Sequence, residues 1–98
     1  DGILLDPPSF GRGAQGQVFK IEDHLARLVQ GCLTILSDQP AFFLFTNHTP
    51  GFTPLFLERY FEKIGGKKLK QGSHETGEMM LGSLKSGLPL GSYYRWHP

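Results

Sequence analysis

The sequence predicts an α/β fold: two parallel strand-helix units followed by an antiparallel hairpin. Three observations lead there. Two apolar runs, Gly2–Leu5 and Ala41–Thr46, each stop at a turn and precede a segment with helical spacing. The segment between the two runs is long enough to hold a crossover helix, as parallel strands require. Two further strand-like segments near the end are joined by a linker too short for a crossover, so they pair antiparallel.

Gly2-Ile3-Leu4-Leu5 is continuously apolar, as a strand buried on both faces is. Asp6-Pro7-Pro8 ends it, because proline lacks the N–H that a ladder needs. Ser9 to Gln17 reads as a Gly-rich loop. Ile21, Leu25, Leu28, Val29, Cys32, Leu33 and Leu36 then recur at three and four residues. That spacing predicts a helix with Glu22, Asp23, Arg27 and Gln30 on its wet side. The two acids in the first turn suit the helix dipole. Ser37 to Pro40 ends this helix.

Ala41-Phe42-Phe43-Leu44-Phe45-Thr46 is aromatic and strand-like. After a loop, Thr53-Pro54 has the form of an N-cap with proline at the first helical position. Leu57, Tyr60, Phe61 and Ile64 make one stripe, and Gly65-Gly66 closes the helix. Strand, helix, strand, helix is the pattern of doubly wound parallel sheets. Lys67, Lys68 and Lys70 read as a solvated turn or edge strand. Glu78–Leu84 and Ser92–His97 are the closing strands, with Ser86 to Gly91 between them.

The 98 residues suffice for one compact domain. Ten Lys+Arg against nine Asp+Glu leave a net charge of +1, so charge gives no pointer to nucleic acid. The single Cys32 excludes an intramolecular disulfide framework and suits a reducing compartment. No apolar run approaches a membrane span and no signal peptide is visible. The expectation is a cytoplasmic protein without a membrane partner. No metal is expected.

Gly11-Arg12-Gly13-Ala14-Gln15-Gly16 is a literal G-x-G-x-x-G. A dinucleotide loop needs its first glycine at the strand end and a helix opening at the third. Here Pro7 to Phe10 intervene before it, and Gln17-Val18-Phe19-Lys20 separate it from the helix. Asp38 has the spacing of a ribose ligand but precedes the second strand. A nicotinamide-dinucleotide oxidoreductase is therefore the alternative, together with a non-catalytic binding module.

Asp6 closes a buried parallel strand, at the carboxyl edge where open α/β sheets bind ligands. Two prolines stiffen the chain and remove two donors, leaving a carboxylate and carbonyls: a cradle of acceptors. Such a cradle suits a substrate that presents N–H groups, such as an exocyclic amine. Phe10 offers a flat surface for stacking a base or another planar group.

At this point the chain resembles a family. Asp6-Pro7-Pro8-Ser9-Phe10-Gly11-Arg12-Gly13, the Phe19-Lys20-Ile21-Glu22 helix start, Phe45-Thr46-Asn47 and Leu88-Pro89-Leu90-Gly91 with Arg95-Trp96 carry the resemblance. They are similar to class I S-adenosylmethionine-dependent methyltransferases, nearest to the 23S rRNA methyltransferase-like group with a DPPxF motif. The resemblance spans nearly the whole chain and implies the C-terminal half of a Rossmann-like catalytic domain. It implies S-adenosylmethionine as cofactor and ribosomal RNA as substrate. By the same resemblance the cofactor-binding half lies upstream of Asp1, and the piece alone binds cofactor poorly and is inactive.

Two departures shape the mechanism. Relatives that methylate cytosine carbon use a cysteine after the second of these strands, where this chain has Thr46-Asn47-His48-Thr49. Covalent catalysis is therefore not expected. Amine methyltransferases often place an aromatic directly after Pro-Pro, whereas here Ser9 precedes Phe10.

Methyl transfer to nitrogen or oxygen needs mainly positioning, because the sulfonium is an activated donor. The expected catalytic residues are Asp6, Pro7 and Pro8, with Asp6 and Pro7 also beside the cofactor. Phe10, Arg12, Lys20 and Asn47 are the expected substrate contacts, the two cations meeting phosphates. His48 is open to two readings, a general base or, as for most loop histidines beside a Pro-Gly turn, a surface residue; Cys32 reads as an inert core thiol. Trp96 packs under the last strand. Gly2 to Leu5 is expected to present an unpaired edge, covered by a preceding segment or by a second copy in a homodimer.

Overall fold

The computed structural model describes every residue except Leu84. In chain order the elements are β1 Gly2–Leu5, β2 Phe10–Arg12, β3 Val18–Lys20, α1 Ile21–Ile35, β4 Phe42–Asn47, α2 Pro54–Ile64, α3 Gly66–Lys70, β5 Ser73–Leu81 and β6 Leu88–His97. Among the described residues the main sheet has the order β1-β4-β6-β5. β1 runs parallel to β4, from Gly2 opposite Phe42 to Leu5 opposite Phe45. β6 runs antiparallel to β4 and to β5. The predicted α/β class, with two parallel strand-helix units and a closing antiparallel pair, is the observed architecture.

One hydrophobic cluster holds the layers together. Ile21, Leu25 and Val29 of α1, Leu57 and Phe61 of α2, and Leu69 of α3 are buried with Phe43, Phe45, Tyr94 and Trp96 of the sheet. Those four sheet residues share one face, since Phe43 pairs with Trp96 and Phe45 with Tyr94. Phe61 is the centre. Its ring stacks on Tyr94 at 4.3 Å and meets Phe45 edge-on at 5.3 Å. Truncating such a ring to alanine costs about 3–5 kcal/mol. The opposite face carries Leu4 and Phe42, 72% and 40% exposed. The helices therefore cover one side of the sheet, rather than both as in a doubly wound arrangement.

Local signals explain most element ends. The Thr53 hydroxyl accepts the Phe56 N–H at 3.1 Å, with Pro54 opening α2, as the sequence predicts. Gly65 ends α2, and Gly66 follows with φ +61°, a conformation that favours glycine.

Two expectations about the connecting segments need correction. The Ser9–Gln17 segment is not simply a loop: β2 and β3 pair antiparallel, Phe10 opposite Lys20. The literal glycine motif lies in this hairpin, where Gly13 N–H bonds Gln17 O at 2.7 Å and Gly16 takes φ +83°. α1 begins only after β3, so the glycines do not open a helix. Lys67, Lys68 and Lys70 lie in the short helix α3, anchored by buried Leu69. Lys68 turns back to donate to the carbonyls of Leu33 and Leu36 at the end of α1. Those carbonyls have no partner within their own helix, and a cation there complements its dipole.

The closing strands differ from expectation in extent. β5 starts at Ser73, not Glu78, and ends at Leu81. The predicted end at Leu84 lies outside the described residues. Ser73 to Gly77 lack an apolar alternation. They are held by cross-strand partners instead, with His74 stacked on Tyr94 and Glu75 joined to Arg95. β6 starts at Leu88, inside the predicted linker. A register shift between Met79 and Met80 accommodates it. Along β6 the pairing with β4 runs from Ser92 to Trp96, so among the described residues Pro89 lies where β6 has β5 alone as a strand neighbour.

Candidate functional site

The site grows from the carboxyl tips of β1 and β4. Both strands point the same way, so Asp6 after β1 and Thr46 near the end of β4 become neighbours. Thr46 donates its hydroxyl to Asp6 Oδ1 at 2.7 Å. His48, just past the end of β4, brings its Nε2 to 3.7 Å from the same oxygen. The other ring nitrogen, Nδ1, lies 3.0 Å from the Leu90 carbonyl on β6. Thr46 and His48, both from the end of β4, thus converge on the Asp6 carboxylate, and Leu90 of β6 braces the ring from the other side. Asp6 and His48 keep 60% and 55% of their side chains open to solvent, so a ligand can reach both.

A second layer holds these segments in place. Asn47 is fully buried. Its amide donates to the Ser92 hydroxyl at 2.8 Å and its oxygen accepts the Thr49 N–H at 3.1 Å. The Ser92 hydroxyl in turn donates to the Phe52 carbonyl. The Asn47–Thr49 bond folds the backbone over His48 as an Asx turn. Asn47 therefore departs from its expected role: its side chain faces the core and organises the loop, and it leaves the set of ligand-facing groups. Thr49 and Ser9 hydroxyls lie 2.5 Å apart, which ties the His48 loop to the segment after Pro8.

Asp6, Pro7 and Pro8 occupy the tip of β1. Pro7 is buried and Asp6 and Pro8 are exposed. Neither proline has an N–H, so Pro7 and Pro8 present only acceptors.

Phe10, Arg12 and Lys20 come together on the β2–β3 hairpin. Phe10 and Arg12 are two residues apart on one strand, and Lys20 pairs with Phe10, so all three share a face. Phe10 is 52% exposed, with the Arg12 guanidinium 5.7 Å from its ring centre. The hairpin's other face turns Phe19 to His24, stacked at 5.6 Å.

Thr46 and Ser9 were absent from the expected set, and His48, a general base on one of its two readings, was left outside it as a surface residue. The signal was available in the strand register: extending the pairing by one residue puts Asp6 opposite Thr46, and His48 follows on the same side. Cys32 is partly buried against the core, and burial pushes its thiol above the usual range. That matches an inert thiol. No described helix is long and apolar enough to cross a membrane.

By sequence, no protein-family description and no curated protein matches the chain. By structure, it is similar to a crystal structure of a SAM-dependent methyltransferase from Agrobacterium tumefaciens, with a TM-score of 0.86 and 27% identity. The match covers 100% of this chain and 33% of that one, so the chain spans about a third of its neighbour's length. The mixed α/β sheet, with Asp6 at its carboxyl edge, is thus a partial Rossmann-like sheet similar to part of that methyltransferase.

Proposed function

We propose that the chain carries the substrate side of an S-adenosylmethionine-dependent methyl-transfer site. The reaction is non-covalent, the acceptor is a nitrogen or oxygen, and the substrate is RNA, ribosomal RNA in particular. The observation that carries this is the Asp6 carboxylate at the tip of β1, oriented by Thr46 and followed by two prolines that offer no donor.

The donor set fits the cofactor. A sulfonium is cationic, and Asp6 with the Pro7 carbonyl forms an acceptor-only environment on which positive charge is welcome. These two residues would hold its reactive end, and the cofactor supplies an activated methyl group. The chain's own task is then positioning. Asp6 accepts a hydrogen from the acceptor group and turns its lone pair toward the incoming methyl. The rigid Pro7-Pro8 segment holds that carboxylate still. Thr46-Asn47-His48-Thr49 contains no cysteine, which supports transfer without a covalent enzyme intermediate.

The RNA reading is supported by the hairpin face. Exposed Phe10 flanked by Arg12 and Lys20 combines a stacking surface with two cations. The single cysteine suits a reducing compartment, and we place the reaction in the cytoplasm. The glycine motif sits in a hairpin turn, which removes the main support for a dinucleotide-binding oxidoreductase.

The tests use the longer protein, with the cofactor-binding half that the resemblance places upstream of Asp1: calorimetry with S-adenosylmethionine, and with NADH as the control, tests the cofactor. Transfer of a labelled methyl group to an unmodified ribosomal RNA transcript tests the reaction. Heat with NADH alone, or no label on RNA together with label on a different acceptor, overturns the corresponding part.

A further inference from the structure

We propose that His48 is the proton acceptor of this site, an inference that rests on the methyl-transfer reading above. The argument starts from the Leu90 carbonyl. A carbonyl oxygen only accepts, so the ring nitrogen 3.0 Å from it, Nδ1, must carry a hydrogen. In the neutral ring Nε2 is then the bare nitrogen. That nitrogen lies 3.7 Å from Asp6 Oδ1. Two acceptors stand side by side without bonding each other, and a substrate group bearing two N–H hydrogens satisfies both. Asp6 holds one hydrogen while His48 faces the other.

The chemistry closes on the same two residues. As methylation proceeds, the acceptor nitrogen's lone pair bonds the methyl carbon. The carbon–sulfur bond breaks with its electrons left on sulfur, and the nitrogen becomes cationic. One of its hydrogens passes as a proton to His48 Nε2. The imidazolium formed there faces the Asp6 carboxylate, whose Oδ1 lies 3.7 Å from Nε2. Among the described residues Asp6 is the carboxylate within 4.0 Å of that ring. The proton then leaves to solvent through the half-open side of the ring.

The ring's orientation is built into the fold. Buried Asn47 turns the backbone at Thr49, and Leu90 belongs to a strand segment brought close to β4 by Gly91, where an added Cβ would collide with the Asn47 carbonyl. A histidine that merely decorated a loop would need none of this.

Two measurements test the proposal. Nitrogen-15 spectra of the full chain at a pH where the ring is neutral should show His48 protonated at Nδ1 and bare at Nε2. The reverse tautomer overturns the proposal whatever the activity. In the longer protein with its cofactor-binding half, methyl transfer from S-adenosylmethionine to an unmodified ribosomal RNA transcript should fall about 10²–10⁴-fold in kcat for His48→Gln, the usual span for losing a general base. Cofactor affinity by calorimetry should stay within twofold. An active wild-type protein with His48→Gln unaffected overturns the proton-acceptor role and leaves the methyl-transfer reading standing. If the longer protein, with the cofactor-binding half that the resemblance places upstream, is inert toward every amine-bearing acceptor yet shows the Nδ1–H tautomer, the reading and the role fall together.

Discussion

Thr46 donates its hydroxyl to Asp6 across the parallel pair formed by β1 and β4, at 2.7 Å. The bond joins two strand tips that are forty positions apart in the chain. It leaves Asp6 Oδ2 free for a ligand while restricting the carboxylate's rotation. Positioning of this kind acts on rate more than on stability, because the bond is exposed.

Thr46→Val keeps the shape and removes the donor. It is expected to change stability by less than about 1 kcal/mol, the net worth of an ordinary hydrogen bond. Methyl transfer should fall roughly tenfold, corresponding to about 1.4 kcal/mol of lost orientation. Thermal melting and labelled-methyl assays read the two effects separately. Unchanged turnover with the fold intact would show that the bond does not orient Asp6.

Gly91 lies on β6 against the end of β4. A Cβ there would strike the Asn47 carbonyl and lie 2.9 Å from the Met79 methyl. The methionine end can move, but the carbonyl belongs to a fully buried residue. Gly91→Ala should therefore destabilise by about 1–3 kcal/mol, the range for overpacking. Urea denaturation measures it. A neutral result would mean that the strands can separate without cost.

Lys68 closes the end of α1 from a different helix, with its ammonium 2.8 Å from the Leu33 carbonyl and 2.5 Å from that of Leu36. α1 has no basic residue in its own last turn. Lys68→Met keeps the alkyl stem and removes the charge. We expect a loss of about 1–2 kcal/mol, from charged hydrogen bonds that are only part-buried. Amide exchange should quicken in the last turn of α1 first. Uniform exchange across α1 with unchanged melting would contradict this.

Glu75 binds the Tyr93 hydroxyl at 2.5 Å and also pairs with Arg95. The Tyr93 hydrogen bond, and then Arg95, hold its carboxyl below the usual 4.5. The same hydrogen bond to Glu75 raises Tyr93 above 10.0. A carboxyl depressed in the folded state adds stability above its unfolded value, and that stability disappears as pH falls through the folded value. A phenol raised in the folded state adds stability below its unfolded value and loses it as pH rises through the folded one. The pair thus stabilises between about pH 4.5 and 10. Glu75→Gln should flatten the acid limb of a melting-temperature profile below pH 4.5. Parallel acid limbs for variant and wild type would refute the contribution.

How much of this was legible beforehand depends on whether the cause was local. The stripe from Ile21 to Leu36, the Thr53-Pro54 cap and the proline stop at Asp6-Pro7-Pro8 all act within a few residues. A one-dimensional reading finds them, and the helices, parallel strands and Asp6 appear where expected. Ser73 to Gly77 form strand without any apolar pattern, because Arg95 and Tyr94 lie opposite them. The three lysines form helix because Leu69 is buried and Lys68 has carbonyls to reach.

The sequence by itself determined the α/β order, the acceptor-only tip at Asp6 and the absence of a cysteine nucleophile beside it. These follow from apolar spacing, from proline's missing N–H and from residue identity. Only the tertiary structure decided that Asn47 turns inward while His48 turns outward beside Asp6. Alternation along a strand says that neighbours face opposite ways, but not which face the helices cover. That choice is made by the packing of α1 and α2 on Phe43 and Phe45, far from His48 in sequence terms but decisive for where it points.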